Sequence, residues 1–77
     1  MKEKREQQYK MIGLNIAYYR KLAGLSQLQL AEVTGISRTH MSNIEAPNMP
    51  TSLSLETLMD IADALNIPVN SLLTFKE

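Results

Sequence analysis

Cysteine is absent from the 77-residue sequence, and histidine occurs once. Without cysteine the chain can form no disulfide and carries no thiolate nucleophile, a composition suited to a reducing compartment. A lone histidine, His40, with no cysteine beside it excludes the usual ligand sets of a structural zinc site. Tryptophan is also missing, and glycine and proline number three each, so the chain is neither a repeat nor a low-complexity segment. No stretch approaches the roughly 18 consecutive apolar residues that a membrane span requires. The start, Met1 to Lys10, is charged, but no apolar run with a small-residue cleavage site follows, so it does not read as a secretory leader. These absences lead to the expectation of a soluble, cytoplasmic protein without membrane contact.

What remains is enough for one domain. A chain of this size buries only about 60% of the surface its unfolded form exposes, so stability is marginal and local helical contacts must contribute. Formal net charge is zero, but the charges are unevenly distributed. Residues 1–40 hold Lys2, Lys4, Arg5, Lys10, Arg20, Lys21 and Arg38 against three glutamates, seven against three, a surplus of four positive charges. Residues 41–77 hold Lys76 against Glu45, Glu56, Asp60, Asp63 and Glu77, one against five, a surplus of four negative charges. A molecule polarised in this way can offer a basic face to phosphates despite its neutral total; the plainer reading is ordinary surface charge.

The apolar periodicity is helical throughout, with no useful strand alternation, so the expected class is all-α with five helices. Residues 1–8 lack apolar periodicity and form a charged extension, either continuing the first helix or standing apart as an arm; the domain proper runs over 9–75. Ile12, Ile16, Tyr19 and Ala23 recur at the spacing of one helix face, and Gly24 is placed to end that helix in a left-handed cap. Ser26 is an N-cap for a second helix with Leu30, Ala31 and Val33 as its apolar positions, stopped by Gly35. Ser37 is the next N-cap, for a helix from Arg38 to about Glu45 held down by Met41 and Ile44. Residues 46–53, with two prolines, form a loop. Ser54 caps a fourth helix with a core stripe of Leu55, Leu58, Ile61, Ala62 and Leu65. Pro68 suits the first turn of a short fifth helix, where its missing N–H is not needed, and Leu72 and Leu73 close the bundle. Met41, Met59 and the tyrosines read as packing residues, except Tyr18, which lies off the core face of the first helix.

The stretch Leu25 to Glu45 meets the steric demands of two short helices joined by a tight turn. Ala31 is small where the helices must approach, Gly35 supplies the positive φ of the turn, and Ile36 fills the corner from inside. In such a helix-turn-helix the second helix enters the major groove. Together with Leu25-Ser26-Gln27, Leu30-Ala31, Gly35-Ile36-Ser37, Ile44-Glu45, Ser54-Leu55-Glu56-Thr57-Leu58, Ile61-Ala62 and Ala64-Leu65, this makes the chain resemble the phage-repressor and Cro-like family of bacterial regulators, also called the xenobiotic-response-element family. The resemblance covers about Lys10 to Leu73. It implies a lambda-repressor-like five-helix fold and binding to double-stranded DNA.

The resemblance also assigns roles. Gln27, at the start of the second helix, matches a residue that reaches a backbone phosphate, where free N–H groups and the positive helix end add to the attraction. Arg38, Thr39, Ser42 and Asn43 match the positions that face base edges, in keeping with the affinity of arginine for guanine and asparagine for adenine. Ser37 and His40 fit sugar–phosphate contacts. Arg20 and Glu45 match a salt bridge that ties the first helix to the third.

The loop Ala46-Pro47-Asn48-Met49-Pro50-Thr51-Ser52 departs from the family pattern: it is longer and has no basic side chain, so fewer phosphate contacts and a shallower salt dependence are expected. Leu28 stands where the family has a polar residue, and with Met49 and Leu53 it is a candidate apolar surface. The expected function is transcriptional regulation, as a repressor that binds a pseudo-palindromic operator as a homodimer. The alternative is a protein-interaction module on the same fold, an antitoxin-like or anti-regulator partner. No nucleophile–base pair, phosphate-cradling glycine loop or metal cluster is legible, so neither an enzyme nor a cofactor or small-molecule ligand is expected.

Overall fold

The computed structural model describes residues 2–75; Met1 of the charged extension, and Lys76 and Glu77 from the charge balance, lie outside it. Five α-helices follow in order: α1 (Glu3–Leu22), α2 (Gln27–Thr34), α3 (Arg38–Glu45), α4 (Leu55–Leu65) and α5 (Asn70–Leu73). Among the described residues there is no strand. The charged extension is helical: α1 begins at Glu3, with Glu3 and Glu6 in its first turn and Arg20 and Lys21 in its last, each complementing the helix dipole.

Helix ends are set by local chemistry. After α1, Gly24 takes φ +77°; the N–H of Leu25 donates to the carbonyl of Arg20 and that of Gly24 to Lys21, which closes the helix end. Ser26 caps α2 by accepting from the N–H of Gln29, and the Gln29 side chain accepts from the N–H of Ser26 in return, a reciprocal capping box. Gly35, at φ +73°, stops α2. Ser37 caps α3 through the N–H of His40, and Ser54 caps α4 through that of Thr57. Helix α4 ends on Asn66 in the left-handed region, φ 57°, a stop the sequence pattern left unassigned. The carbonyl of Pro68 accepts from the N–H of Ser71, but Val69 is the N-cap of α5, so the proline stands two residues before the helix and not in its first turn as expected.

The core gathers Ile12 and Ile16 from α1, Leu30 and Ala31 from α2, Met41 and Ile44 from α3, Leu58, Ile61, Ala62 and Leu65 from α4, and Leu72 from α5. Tyr9, Tyr19, Ile36 and Leu53 pack against it. Burying each of the larger aliphatic side chains stabilises the fold by about 1.5–3 kcal/mol. Helix α1 packs on α3 and α5, while α2 packs on α3 and α4, so α3 is held from two sides and its remaining face is left to solvent.

Several expected core positions are exposed instead. Val33 is 66% exposed and Leu55 60%, and Leu73, Met59 and Ala23 also face solvent. Leu55 and Val33 sit at the margins of their helices' apolar stripes, where no neighbouring element covers them. Leu73 follows Leu72 by one residue, so in a helix the two point in different directions and only Leu72 can reach the interior. Leu53, by contrast, is half-buried against the core and so is not part of an apolar surface with exposed Leu28 and Met49.

Candidate nucleic-acid interface

Helix α3 is aimed by three anchors. Met41 and Ile44 are buried beneath it. Gly13, buried in α1, lies directly against the carbonyl of Ile44: a Cβ there would collide with the Ile44 oxygen and lie 3.3 Å from its carbonyl carbon. The third anchor is ionic. The Glu45 carboxylate accepts from Arg20 Nε at 2.7 Å on Oε2 and from Arg20 Nη2 at 2.8 Å on Oε1, a bidentate pair buried between α1 and α3. Arg20 Nη1 also donates to the carbonyl of Leu25 at 2.8 Å, which ties the α1–α2 turn into the same cluster. The hydrogen bond to Glu45 is the largest cause of a raised Arg20 pKa, so the guanidinium stays charged; burial opposes the rise, and the charge of Glu45 adds to it.

Gln27 joins this cluster, its Nε2 donating to Glu45 Oε1 at 3.0 Å. One Nε2 hydrogen remains for an outside acceptor, beside first-turn N–H groups of α2 that have no intrahelical partner. Nothing in the 18-residue separation of Gln27 and Glu45 signals that contact.

Arg38, Thr39 and Ser42 are exposed, and Asn43 and His40 are half-exposed along the same helix. Ser37 Oγ is used as the α3 cap acceptor, which leaves its O–H proton free to donate. Since Arg20 neutralises Glu45, Arg38 is the arginine of the solvent face of α3, standing beside the hydrogen-bonding side chains of Thr39, His40, Ser42 and Asn43. The structure therefore brings Arg38, Thr39, Ser42 and Asn43 onto one short helix, with Ser37 and His40 in its first turn and Gln27 at the start of the preceding one.

Two contributors escaped the sequence pattern. Thr51 Oγ1 lies 3.2 Å from the carbonyl oxygen of Asn43 and 2.9 Å from that of Met49, pinning the loop after α3 against the end of that helix. Asn15 Nδ2 donates to the carbonyls of Leu72 at 3.0 Å and Thr74 at 3.1 Å, fastening α5 to α1. The reciprocal bond of Gln29 to Ser26 was missed too, although a glutamine three residues after a capping serine is a signal that could have found it.

Among the described residues no helix is long and apolar enough to cross a membrane. A family profile described as helix-turn-helix matches residues 16–72. The control protein C.SmaI of Serratia marcescens is 41% identical over 64 residues, 83% of this chain and 74% of the relative. The transcriptional regulator SinR is 37% identical over 67 residues in Bacillus licheniformis and 38% over 66 in Bacillus subtilis. The matched segments cover 87% and 86% of this chain but only 60% and 59% of the two SinR proteins. Among solved structures, the N-terminal DNA-binding domain of Bacillus subtilis SinR superposes with a TM-score of 0.78 at 37% identity, over 88% of this chain and 97% of that one. SinR in complex with DNA, described as the master regulator for biofilm formation, gives a TM-score of 0.75 at 36% identity, over 82% and 98%.

Proposed function

The chain belongs to the helix-turn-helix family of the phage-repressor and Cro type, and on that premise we infer that it regulates transcription by binding double-stranded DNA through the major groove. The observation that carries this reading is the solvent face of α3, where exposed Arg38, Thr39 and Ser42 stand with Asn43 on a helix whose one acidic residue is buried and paired. In the proposed complex Arg38, Thr39, Ser42 and Asn43 read base edges. Gln27, Ser37 and His40 hold the sugar–phosphate backbone. Arg20 and Glu45 fix the angle between the first and third helices. The chain acts in the cytoplasm as a repressor that occludes a promoter. Because one short helix makes few base contacts, useful affinity comes from two copies on a pseudo-palindromic operator with half-sites about 34–36 Å apart.

Selection of bound duplexes from a random pool tests this reading. Recovery of a two-fold symmetric motif supports it, and failure to enrich any sequence overturns it. A second reading, a protein-interaction module, draws on the uncharged loop and on exposed Leu28 and Met49. Random duplex titrated at rising salt separates the two, because any phosphate-dominated complex weakens steeply with salt. An absence of salt-sensitive binding favours the module.

A further inference from the structure

Two exposed faces outside the reading helix complement each other. On α1, Leu14, Tyr18 and Leu22 follow at four-residue spacing, so they form one row, and all three are exposed, Tyr18 by 60% and Leu22 by 70%. Leu14 and Tyr18 of this row, with Met11, line a groove of about 560 Å³ between α1 and α5 that Asn15, Asn70 and Thr74 also border; Leu22 lies outside it. Lys10, four residues before Leu14, and exposed Lys21, three after Tyr18, flank the row on one side. On α4, exposed Leu55 and Met59 form a shorter apolar row, and exposed Glu56, Asp60 and Asp63 run alongside it. Among the described residues the Arg20–Glu45 bridge is the one ion pair, so these lysines and carboxylates have no partner among those residues.

We propose that a second copy of this chain docks here, the outer face of α4 in one copy seating Leu55 and Met59 on the Leu14–Tyr18 row of α1 in the other. Charge complementarity identifies the occupant: the basic apolar face and the acidic apolar face belong to the same polypeptide. Zero net charge removes the long-range repulsion that would otherwise keep identical molecules apart. A single helix–helix contact buries well under the roughly 800 Å² per partner of a stable complex, so pairing is weak in solution and gains strength when two copies are held on one duplex. Added salt weakens it by screening the flanking charges. A contact from α4 of one copy to α1 of the next is head-to-tail, so it is not the two-fold pairing of the proposed function but a link between successive copies, and it rests on that reading only for the gain on a duplex. Its test contains no DNA, so the two can fail separately.

Sedimentation of the full chain over a wide concentration range, at low and high salt, reads the association directly. The charge reversals K10E/K21E and D60K/D63K lie at solvent-facing or half-buried positions, and circular dichroism verifies their fold. Each alone is expected to weaken self-association about tenfold or more, and an equimolar mixture of the two to restore it, because the reversed faces again match. Because the chain has no cysteine, Tyr18→Cys and Met59→Cys provide an independent readout that does not depend on charge. Under mild oxidation, mixed disulfides between the two variants are expected to outnumber those formed within either. The proposal is overturned if the parent chain stays monomeric throughout, if a single reversal leaves association unchanged, if the mixture fails to recover it, or if mixed disulfides show no excess.

Discussion

Gly13 of α1 sits directly beneath the carbonyl oxygen of Ile44, close enough that no side chain can be placed between them. That proximity sets the distance between the first and third helices and brings Arg20 and Glu45 within bidentate reach two turns further along α1.

Gly13→Ala is therefore expected to destabilise the protein. In an exposed helix interior this exchange gains about 1 kcal/mol, because alanine has less backbone freedom to lose. Here the added methyl meets backbone, which cannot rotate away, and overpacking of this kind costs about 1–3 kcal/mol. Urea unfolding should show a lower midpoint with an unchanged slope; a raised midpoint would mean that the helices separate without cost.

Arg20→Met leaves the Glu45 carboxylate buried without its partner, a loss of about 3–5 kcal/mol in comparable pairs. For a domain this small that approaches the whole stability, so the variant is expected to be largely unfolded at 37 °C by circular dichroism. Replacing both residues with apolar ones of similar volume should recover much of the loss. The folded-state pKa of Arg20 is raised, chiefly by the hydrogen bond to Glu45. Its stabilisation is thus fully present below the ordinary arginine range and fades only as pH rises through the raised value. A melting temperature that fell between neutral and mildly alkaline pH because of this residue would contradict that sign.

Asn66 holds a left-handed conformation that costs most side chains about 1–2 kcal/mol. Asn66→Ala should lower stability by about 1 kcal/mol, whereas Asn66→Gly should leave it unchanged or slightly raised, since glycine adopts this conformation freely. Thermal melts of the pair decide the matter: equal losses would place the cause in the side chain and not in the backbone.

If α3 reads bases as proposed, Arg38→Ala should cost about 1–3 kcal/mol of specific binding and relax preference at one base pair. Gln27→Ala should weaken binding to all duplexes alike. Fluorescence anisotropy with the selected motif and with a scrambled duplex measures both. An Arg38→Ala variant with unaltered affinity and preference would move the reading face elsewhere.

Features that depend on a few consecutive residues were legible in the sequence. Ser26, Ser37 and Ser54 each cap the helix that follows, and Gly24 and Gly35 each adopt positive φ, because caps and turns are satisfied within a handful of residues. The bounds of α3 follow from its cap and from Met41 with Ile44, whereas the choice of Arg38, Thr39, Ser42 and Asn43 as reading residues came from the family resemblance. Features that depend on what lies across the bundle were not legible. Gly13 looks like any mid-helix glycine until α3 is laid over it. Val33 and Leu55 carry the right chemistry for a core, but no element reaches them. The bond between Gln27 and Glu45 joins residues with no local relation, through a salt bridge that only the tertiary arrangement creates.

Asn15 holds the carbonyls of Leu72 and Thr74 with one side-chain amide, and Phe75 turns back onto the core beside Tyr9 and Ile12. The short fifth helix is therefore tethered to the first by its trailing carbonyls. Loss of that amide would loosen the fifth helix alone and open the groove beside Leu14 and Tyr18, while α3 stays seated on α1 and α2.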